Sequence, residues 1–324
     1  MHIFLAGATG AVGRALVPVL LDHGHTVTGT TRSEGKAEVL RALGARAVVM
    51  DGLDRESVLG AVAAAQPDAI VHEMTALAGA DVRNFDRAFA VTNRLRTEGT
   101  EHLLAAARDV GVPRLVAQSY AGWPIERTGW RVKTEADPLD PDPPKRMRET
   151  HAAIRRQEAL VTEAAGVILR YGGFYGPGTG IAPDGEQVEQ VRRRRIPLVG
   201  DGGGVWSFVH IDDAAAATLA AVERGRGGEI YHVCDDDPAP VREWLPALAE
   251  AAAAPPPRRV PAWLARLVAG PAVVALMTDI RGASNAKAKA ELGWQPRHPT
   301  WREGFRAAVA AEAAALSRSR AGAP

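Results

Sequence analysis

Cysteine is nearly absent. Cys234 stands alone among 324 residues, so no disulfide can form within the chain, and a reducing, cytoplasmic setting is expected. Excess charge of either sign is absent too: Lys+Arg 39 against Asp+Glu 38 leaves a net charge of +1. That balance gives a nucleic acid or a membrane surface no footing, and neither is expected as a partner. There is no long apolar run. The most apolar late stretch, 261–277, contains Arg266 and two prolines, too short and too broken to span a bilayer. The chain opens from Met1-His2 straight into Ile3-Phe4-Leu5, which leaves no room for the regions of a signal peptide, and none is expected. Several catalytic patterns are missing. His72-Glu73 has Ala76 where a zinc-protease helix needs its second histidine. Gly35-Lys36 has Thr30 where a P-loop needs its first glycine, and no Gly-x-Ser-x-Gly elbow occurs. No internal repeat is visible.

What is present is an ordinary soluble composition, 46% hydrophobic and 24% charged. Its first two-thirds alternates short β-branched runs with Ala/Leu-rich helical stretches. The runs 2–6, 26–30, 45–50, 69–72, 114–118 and 167–170 read as strands. Helical periodicity fills 12–23, 36–43, 55–65, 85–110 and about 145–165. Strands alternating with helices predict an α/β fold, a Rossmann-type doubly wound parallel sheet whose ligands lie beyond the carboxyl ends of the strands. After Arg170 the pattern changes to a glycine-rich segment, a helix over 211–223 and one returning strand at 229–233. The expected division is a dinucleotide-binding domain over 1–175 plus 206–235, and a smaller C-terminal substrate lobe over 176–205 plus 236–324. The alanine-rich stretch 307–315 reads as a surface helix before a frayed end.

The strongest local signal is Gly7-Ala8-Thr9-Gly10-Ala11-Val12-Gly13, between the first strand and the first helix. Gly7 permits the tight turn, Gly10 lets the backbone approach a pyrophosphate, and Gly13 lets the helix pack close to the sheet. The phosphates then meet free N–H groups at the helix N-terminus.

With this Gly-x-x-Gly-x-x-Gly spacing the sequence resembles the extended short-chain dehydrogenase/reductase superfamily of nucleotide-sugar epimerases, dehydratases and related reductases. Further segments match in order: Asp51-Gly52-Leu53, Ile70-Val71-His72, Thr92-Asn93 with Gly99-Thr100, Leu169-Arg170-Tyr171 and Tyr175-Gly176-Pro177-Gly178. Then come Phe208-Val209-His210-Ile211-Asp212-Asp213 and Leu292-Gly293-Trp294 with Pro296. The resemblance spans nearly the whole chain. It implies that Asp51, Gly52 and Leu53 flank an adenine. It makes His210, Asp212 and Asp213 a strand-to-helix junction, with one aspartate capping the helix, and so no metal site is expected. It also implies a homodimer through the helices 85–110 and 145–165, as a four-helix bundle.

Such proteins choose their cofactor at the end of the second strand. Here that end reads Thr31-Arg32-Ser33, with no acid until Glu34. Arg32 suits a 2′-phosphate and Thr31 or Ser33 can add a hydroxyl, so NADP(H) is expected ahead of NAD(H).

The resemblance breaks at catalysis. The superfamily's usual Tyr-x-x-x-Lys places a proton-shuttling phenol and an ammonium on one helical face. The four tyrosines here, 120, 171, 175 and 231, are followed four positions later by Pro124, Tyr175, Thr179 and Asp235. Anchoring on Glu158, which matches a glutamate common four residues after the lysine, puts Thr150 in the tyrosine slot and Ile154 in the lysine slot. A register shifted by one offers His151 and Arg155, with His151 expected on the helix surface. Ser119 matches the serine at the end of strand five and can orient a substrate oxygen. Tyr120 is the first candidate for a replacement acid and Tyr175 the second, the latter also readable as packing. The run 192–195 is basic and reads as a solvated face or as a contact for a phosphate-bearing substrate. The apolar stretch 263–277 suggests a greasy lid over an aromatic or polyketide-like substrate. The function expected is an NADP(H)-dependent oxidoreductase of a small organic substrate. Two alternatives stand beside it: a non-redox dehydratase, isomerase, epimerase or cyclase, and a nucleotide-sensing regulator.

Overall fold

In the computed structural model, which describes residues 1–77 and 85–309, the alternating pattern becomes one seven-stranded parallel sheet. Its strands are β1 (His2–Ala6), β2 (Thr26–Thr31), β3 (Arg46–Val49), β4 (Ala69–His72), β5 (Arg114–Tyr120), β6 (Val167–Tyr171) and β7 (Ile230–Val233). Their order is β7-β6-β5-β4-β1-β2-β3. The strand order reverses between β1 and β4, which pair in parallel with Ala6 opposite His72. A crevice at such a reversal is where open α/β sheets bind ligands.

The helices are α1 (Ala11–Asp22), α2 (Glu34–Ala42), α3 (Arg55–Ala65), α4 (Phe85–Arg94), α5 (Thr100–Val110), α6 (Arg148–Glu163), α7 (Glu186–Arg192) and α8 (Ile211–Arg224). Two apolar layers sandwich the sheet. One joins Leu16, Val17 and Leu20 of α1 to Ala217 and Ala221 of α8 over Leu5 and Val71. The other joins Val58 and Val62 of α3, Leu103 of α5 and Val161 of α6 over Phe4 and Ile70. Both faces of the strands are therefore buried, which is why they read as near-continuous apolar runs.

The sequence reading differs from the structure in two places. The long helix 85–110 is interrupted by a π-helical turn, Leu95–Gly99, between α4 and α5. The helix read over 211–223 does begin at Ile211, but neither Asp212 nor Asp213 is its cap. The His210 ring accepts the Asp212 N–H at 3.2 Å instead. Asp213 is buried and accepts the backbone N–H groups of Arg297 and His298 at 2.8 and 2.9 Å. Trp294 donates its indole N–H to the Asp213 carbonyl, so the Leu-Gly-Trp segment folds back on α8. Of the surface helix expected over 307–315, residues from 310 on lie outside the described residues.

The later chain gathers a separate apolar cluster around Tyr175, Leu198, Trp244, Trp301 and Phe305. Its helices include α9 (Val241–Ala251), α10 (Ala262–Val268) and α11 (Pro271–Thr278). The apolar stretch expected to form a lid is thus two helices. Ala272 and Leu276 of α11 join Phe85, Phe89 and Trp123. Trp263, Leu267 and Val268 of α10 face outward.

Candidate functional site

The glycine loop is built as its spacing requires. Gly7 has φ +93°, and a Cβ there would lie 2.7 Å from the Glu73 backbone. Its N–H donates to the Thr30 hydroxyl at 3.0 Å, which fixes the loop to β2. A Cβ on Gly13 would lie 2.6 Å from Ala8 Cα and the Ala8 carbonyl, so only glycine admits the loop this close to α1. Gly10 is exposed at the N-cap, with no side-chain cap and no acid in the first turn. The helix's positive end is left uncompensated, ready for a phosphate. Thr9 and Ala11 are half-buried beside it, and Val12 is buried beneath. These residues fit a dinucleotide: a cradle that any Cβ would fill, on an open helix terminus.

Thr31, Arg32 and Ser33 come next, at the end of β2. Thr31 is buried, while Arg32 and Ser33 are exposed. Glu34, the first acid beyond them, accepts from Arg41 at 2.7 Å and is drawn along its own helix. At the end of β3, Asp51 accepts the Leu53 N–H at 3.0 Å and closes a turn. The Gly52 carbonyl of that turn faces His102 of α5 at 3.1 Å, and a Cβ on Gly52 would lie 2.5 Å from the Met74 sulfur. The loop, the end of β2 and this turn line one edge of the sheet, across β1, β2 and β3.

Beneath the loop lies a group that the sequence did not announce. Glu73 is buried at the end of β4, and its carboxyl and Thr218 both meet the Tyr171 hydroxyl, at 3.1 and 2.7 Å. Burial pushes the Glu73 carboxyl up to about 8, so it is neutral at pH 7 and adds no negative charge beneath the phosphate cradle.

At the catalytic end, the Glu158 anchor holds its register by chemistry. Glu158 is buried and grips Arg170 with both oxygens, at 2.8 and 2.6 Å. The Ser119 hydroxyl also donates to it, at 2.7 Å. The Ser119 proton is therefore committed to Glu158, which leaves only its oxygen lone pairs for any substrate group. Thr150, in the tyrosine slot, is buried. It donates to Asp86 at 2.8 Å and accepts from Asn93 at 3.1 Å. Ile154, in the lysine slot, is fully buried in the cluster of Phe85, Phe89 and Trp123. Neither slot offers an acid or a cation.

His151 corrects an expectation. It is not on the helix surface but 3% exposed, edge-on to Trp123 at 5.3 Å, with both ring nitrogens unpaired. Burial holds its pKa down to about 4, so it is neutral at pH 7. Tyr175 lies elsewhere. It is fully buried against His210 and Phe305, and its hydroxyl reaches only the His298 carbonyl at 3.5 Å. It packs in the later cluster, away from Tyr120.

Tyr120 remains. It is half-buried at the end of β5, 5.3 Å from Trp123, and its hydroxyl has no hydrogen-bond partner among the described residues. With Trp123, Trp206, Ser207 and Ile280 it lines a cleft beyond the strand ends. Burial raises its pKa, so the phenol keeps its proton at neutral pH. Facing it electrostatically is Arg96, a buried guanidinium on the π-helical turn that the sequence reading passed over. An arginine in a helical pattern reads as a solvated one, but on this turn it is buried.

Two other groupings need placing. His210, Asp212 and His298 bring one ligand atom each within 4.8 Å of one another. The two rings stack at 3.8 Å and 31°, so their in-plane lone pairs do not converge, and the His210 Nδ1 is already engaged as the cap. In the basic run, Arg192 donates to the Pro183 carbonyl and Arg193 pairs with Glu189.

The model of the NAD dependent epimerase/dehydratase family matches residues 3–234. Over 310 residues the chain is 46% identical to a 3-diazoavenalumate denitrifying reductase of Streptomyces sp, covering 94% of this chain and 99% of that one. A 4-hydroxy-2-methyl-3-oxo-4-farnesyl-3,4-dihydroquinoline-1-oxide ketoreductase of Stigmatella aurantiaca is 32% identical over 257 residues, covering 77% of this chain and 73% of that one. Among solved structures, the Thermus thermophilus UDP-glucose 4-epimerase in complex with NAD superposes with a TM-score of 0.72 at 26% identity, covering 95% of this chain and 98% of that one.

Proposed function

Because the chain belongs to the NAD dependent epimerase/dehydratase family, we propose that this enzyme is an NADP(H)-dependent reductase of an aromatic diazo compound, releasing dinitrogen. The bound cofactor supplies a hydride. The carbon–nitrogen bond of the diazo group breaks, dinitrogen leaves, one hydride takes its place on the ring carbon, and one proton goes to the ring oxygen conjugated with it, which becomes a phenol. Departure of a gas makes the step irreversible, so it has less need of the phenol–ammonium pair that lets relatives run both ways.

The observation that carries the reading is a pair of α6 positions with neither a phenol nor a cation, beside a phenol that has no hydrogen-bond partner among the described residues. Thr150 is tied to Asp86 and Asn93, and Ile154 is buried in an apolar cluster. Tyr120 keeps a hydroxyl with no partner among the described residues, on an aromatic cleft, and is the proton donor in this reading. Trp123 and Trp206, with α11 above, give the cleft aromatic walls of the kind that stack on conjugated ligands, around a space of about 10 Å³ that must widen to admit one. Arg32 supports NADP(H), since it is exposed beside Ser33 with no acid before Glu34. The identity to the denitrifying reductase over nearly both whole chains favours a diazo acceptor over a carbonyl.

Anaerobic mixing of the protein, NADPH and an ortho-quinone diazide tests this. NADPH oxidation matched by dinitrogen in the headspace is expected. Tyr120→Phe should cut turnover at least about tenfold and leave NADPH binding unchanged. Oxidation of NADPH by ketones alone would move the reading to a ketoreductase, and tight NADPH binding without turnover would move it to a sensor. The same reading includes a homodimer through the outer faces of α4–α5 and α6, where Val91 is exposed. Light scattering should give twice the chain mass, and a monomer at micromolar concentration would remove the dimer.

A further inference from the structure

We propose that Arg14 is a receptor for the pyrophosphate of the dinucleotide, reaching back over the glycine loop from α1 and holding the phosphates beside the turn at 176–178. The inference rests on the reading of the loop as the cofactor cradle. It does not rest on the choice between NAD and NADP, since both carry a pyrophosphate.

The placement is set by helix phase and by one contact. Val12 and Gly13 face inward, and Arg14 returns to the open face of Gly10, exposed like it. Its N–H donates to the Gly10 carbonyl at 3.0 Å, one turn back. A helical side chain covers the turn before its own Cα, so Arg14 covers the loop. The guanidinium is also located directly. A Cβ on Gly178 would lie 2.8 Å from its Nη2, and Gly178 has φ +74°. Gly176 has φ +104°, and a Cβ there would lie 2.6 Å from the His210 ring, the cap of α8. The turn that opens the substrate lobe is thus seated at one glycine on the α8 cap and at the other on Arg14, and a side chain would block either seat.

A cation is out of place at this end of a helix, where the dipole is already positive. Nothing in the chain offsets it. α1 has no acid in its first turn and no side-chain cap. The Arg14 guanidinium has no hydrogen-bond or ion-pair partner among the described residues. The acids at the starts of the neighbouring helices are placed otherwise. On α8, Asp213 is spent on the Arg297 and His298 N–H groups, and Asp212 lies 3.6 Å from His210. On α2, Glu34 accepts from Arg41. A pyrophosphate in the cradle supplies the missing anion. Its oxygens accept from the N–H groups of the helix end and from the guanidinium fork together, and its charge removes the repulsion between the two.

Calorimetric titration of the full chain with NADP⁺ and with NAD⁺ tests this without turnover, beside urea melts of the chain without cofactor. Arg14→Gln should weaken both dinucleotides by the same factor, at least about tenfold, and Arg14→Lys should restore most of the loss. The cofactor-free variant should melt at no lower urea than the wild type, because a cation has left the positive end of α1. Unchanged affinity for both dinucleotides in Arg14→Gln overturns the proposal. So does a loss confined to NADP⁺, which would assign Arg14 to the 2′-phosphate, and so does a lower melt, which would make it a staple of the turn. A wild type that binds neither dinucleotide overturns the cofactor reading and this inference with it. A preference for NAD⁺, or a missing diazo reductase activity, would overturn the function above and leave this result standing.

Discussion

At the residue scale, Arg32 is the most direct test of cofactor choice. It is exposed at the end of β2 with no acid to hold it, and Glu34 is engaged by Arg41. Losing a bidentate arginine–phosphate contact costs on the order of 1.5–3 kcal/mol, roughly ten- to a hundredfold in affinity. Arg32→Ala should therefore weaken NADPH and leave NADH nearly unchanged in a fluorescence titration. Equal loss for both, or a wild-type preference for NADH, would refute the assignment. The glycines of the loop were legible in the sequence because their role is local: a positive φ at Gly7 and a close approach at Gly13 follow from the strand–turn–helix context alone. Ser119, Tyr175 and His151 were not, since residue type says nothing about which neighbour claims a side chain. Glu158 claims Ser119, Phe305 and His210 enclose Tyr175, and Trp123 covers His151.

Elements show the same division. Strand and helix positions followed from periodicity, and β5 and β6 extend beyond expectation only at the ends, to Tyr120 and Tyr171. The π-helical turn between α4 and α5 left no such mark. One surplus residue in a helix rotates every later side chain by about 100°, so Leu95–Gly99 shifts the phase between the half that meets α6 and the half that packs on α3. Periodicity read across the junction cannot assign both faces. The α6 slot yields a prediction of its own. Ile154 is fully enclosed by apolar neighbours. Restoring the superfamily pattern with Ile154→Lys should destabilise the fold by roughly 2–4 kcal/mol without adding carbonyl reductase activity. A denaturant melt and a ketone assay would check both, and an unchanged melting curve would show that the slot is not sealed.

For the whole molecule, five buried groups set how stability depends on pH. Glu73 and Asp235 have carboxyls raised to about 8 from ordinary values of 4.5 and 3.8, so what they contribute is lost as pH climbs from there through about 8. The imidazoles of His72 and His151 are lowered to about 4, and that of His232 to about 3, from 6.5; their contribution is present above 6.5 and lost as pH falls towards those values. Three histidines outweigh two acids below 6.5, and only the acids act above it. Urea melts at pH 5, 6.5 and 8.5 should therefore peak at the middle value, and a rise that continues to 8.5 would contradict the account. The Asp213 clamp has a different consequence, in time. A ribosome delivers α1, α8 and every strand of the sheet before Arg297 and His298, whose backbone N–H groups the buried Asp213 carboxylate needs. Until then the nascent sheet holds a carboxylate without its donors, so the dinucleotide half, though first to emerge, completes its folding only after residues 297 and 298 have emerged.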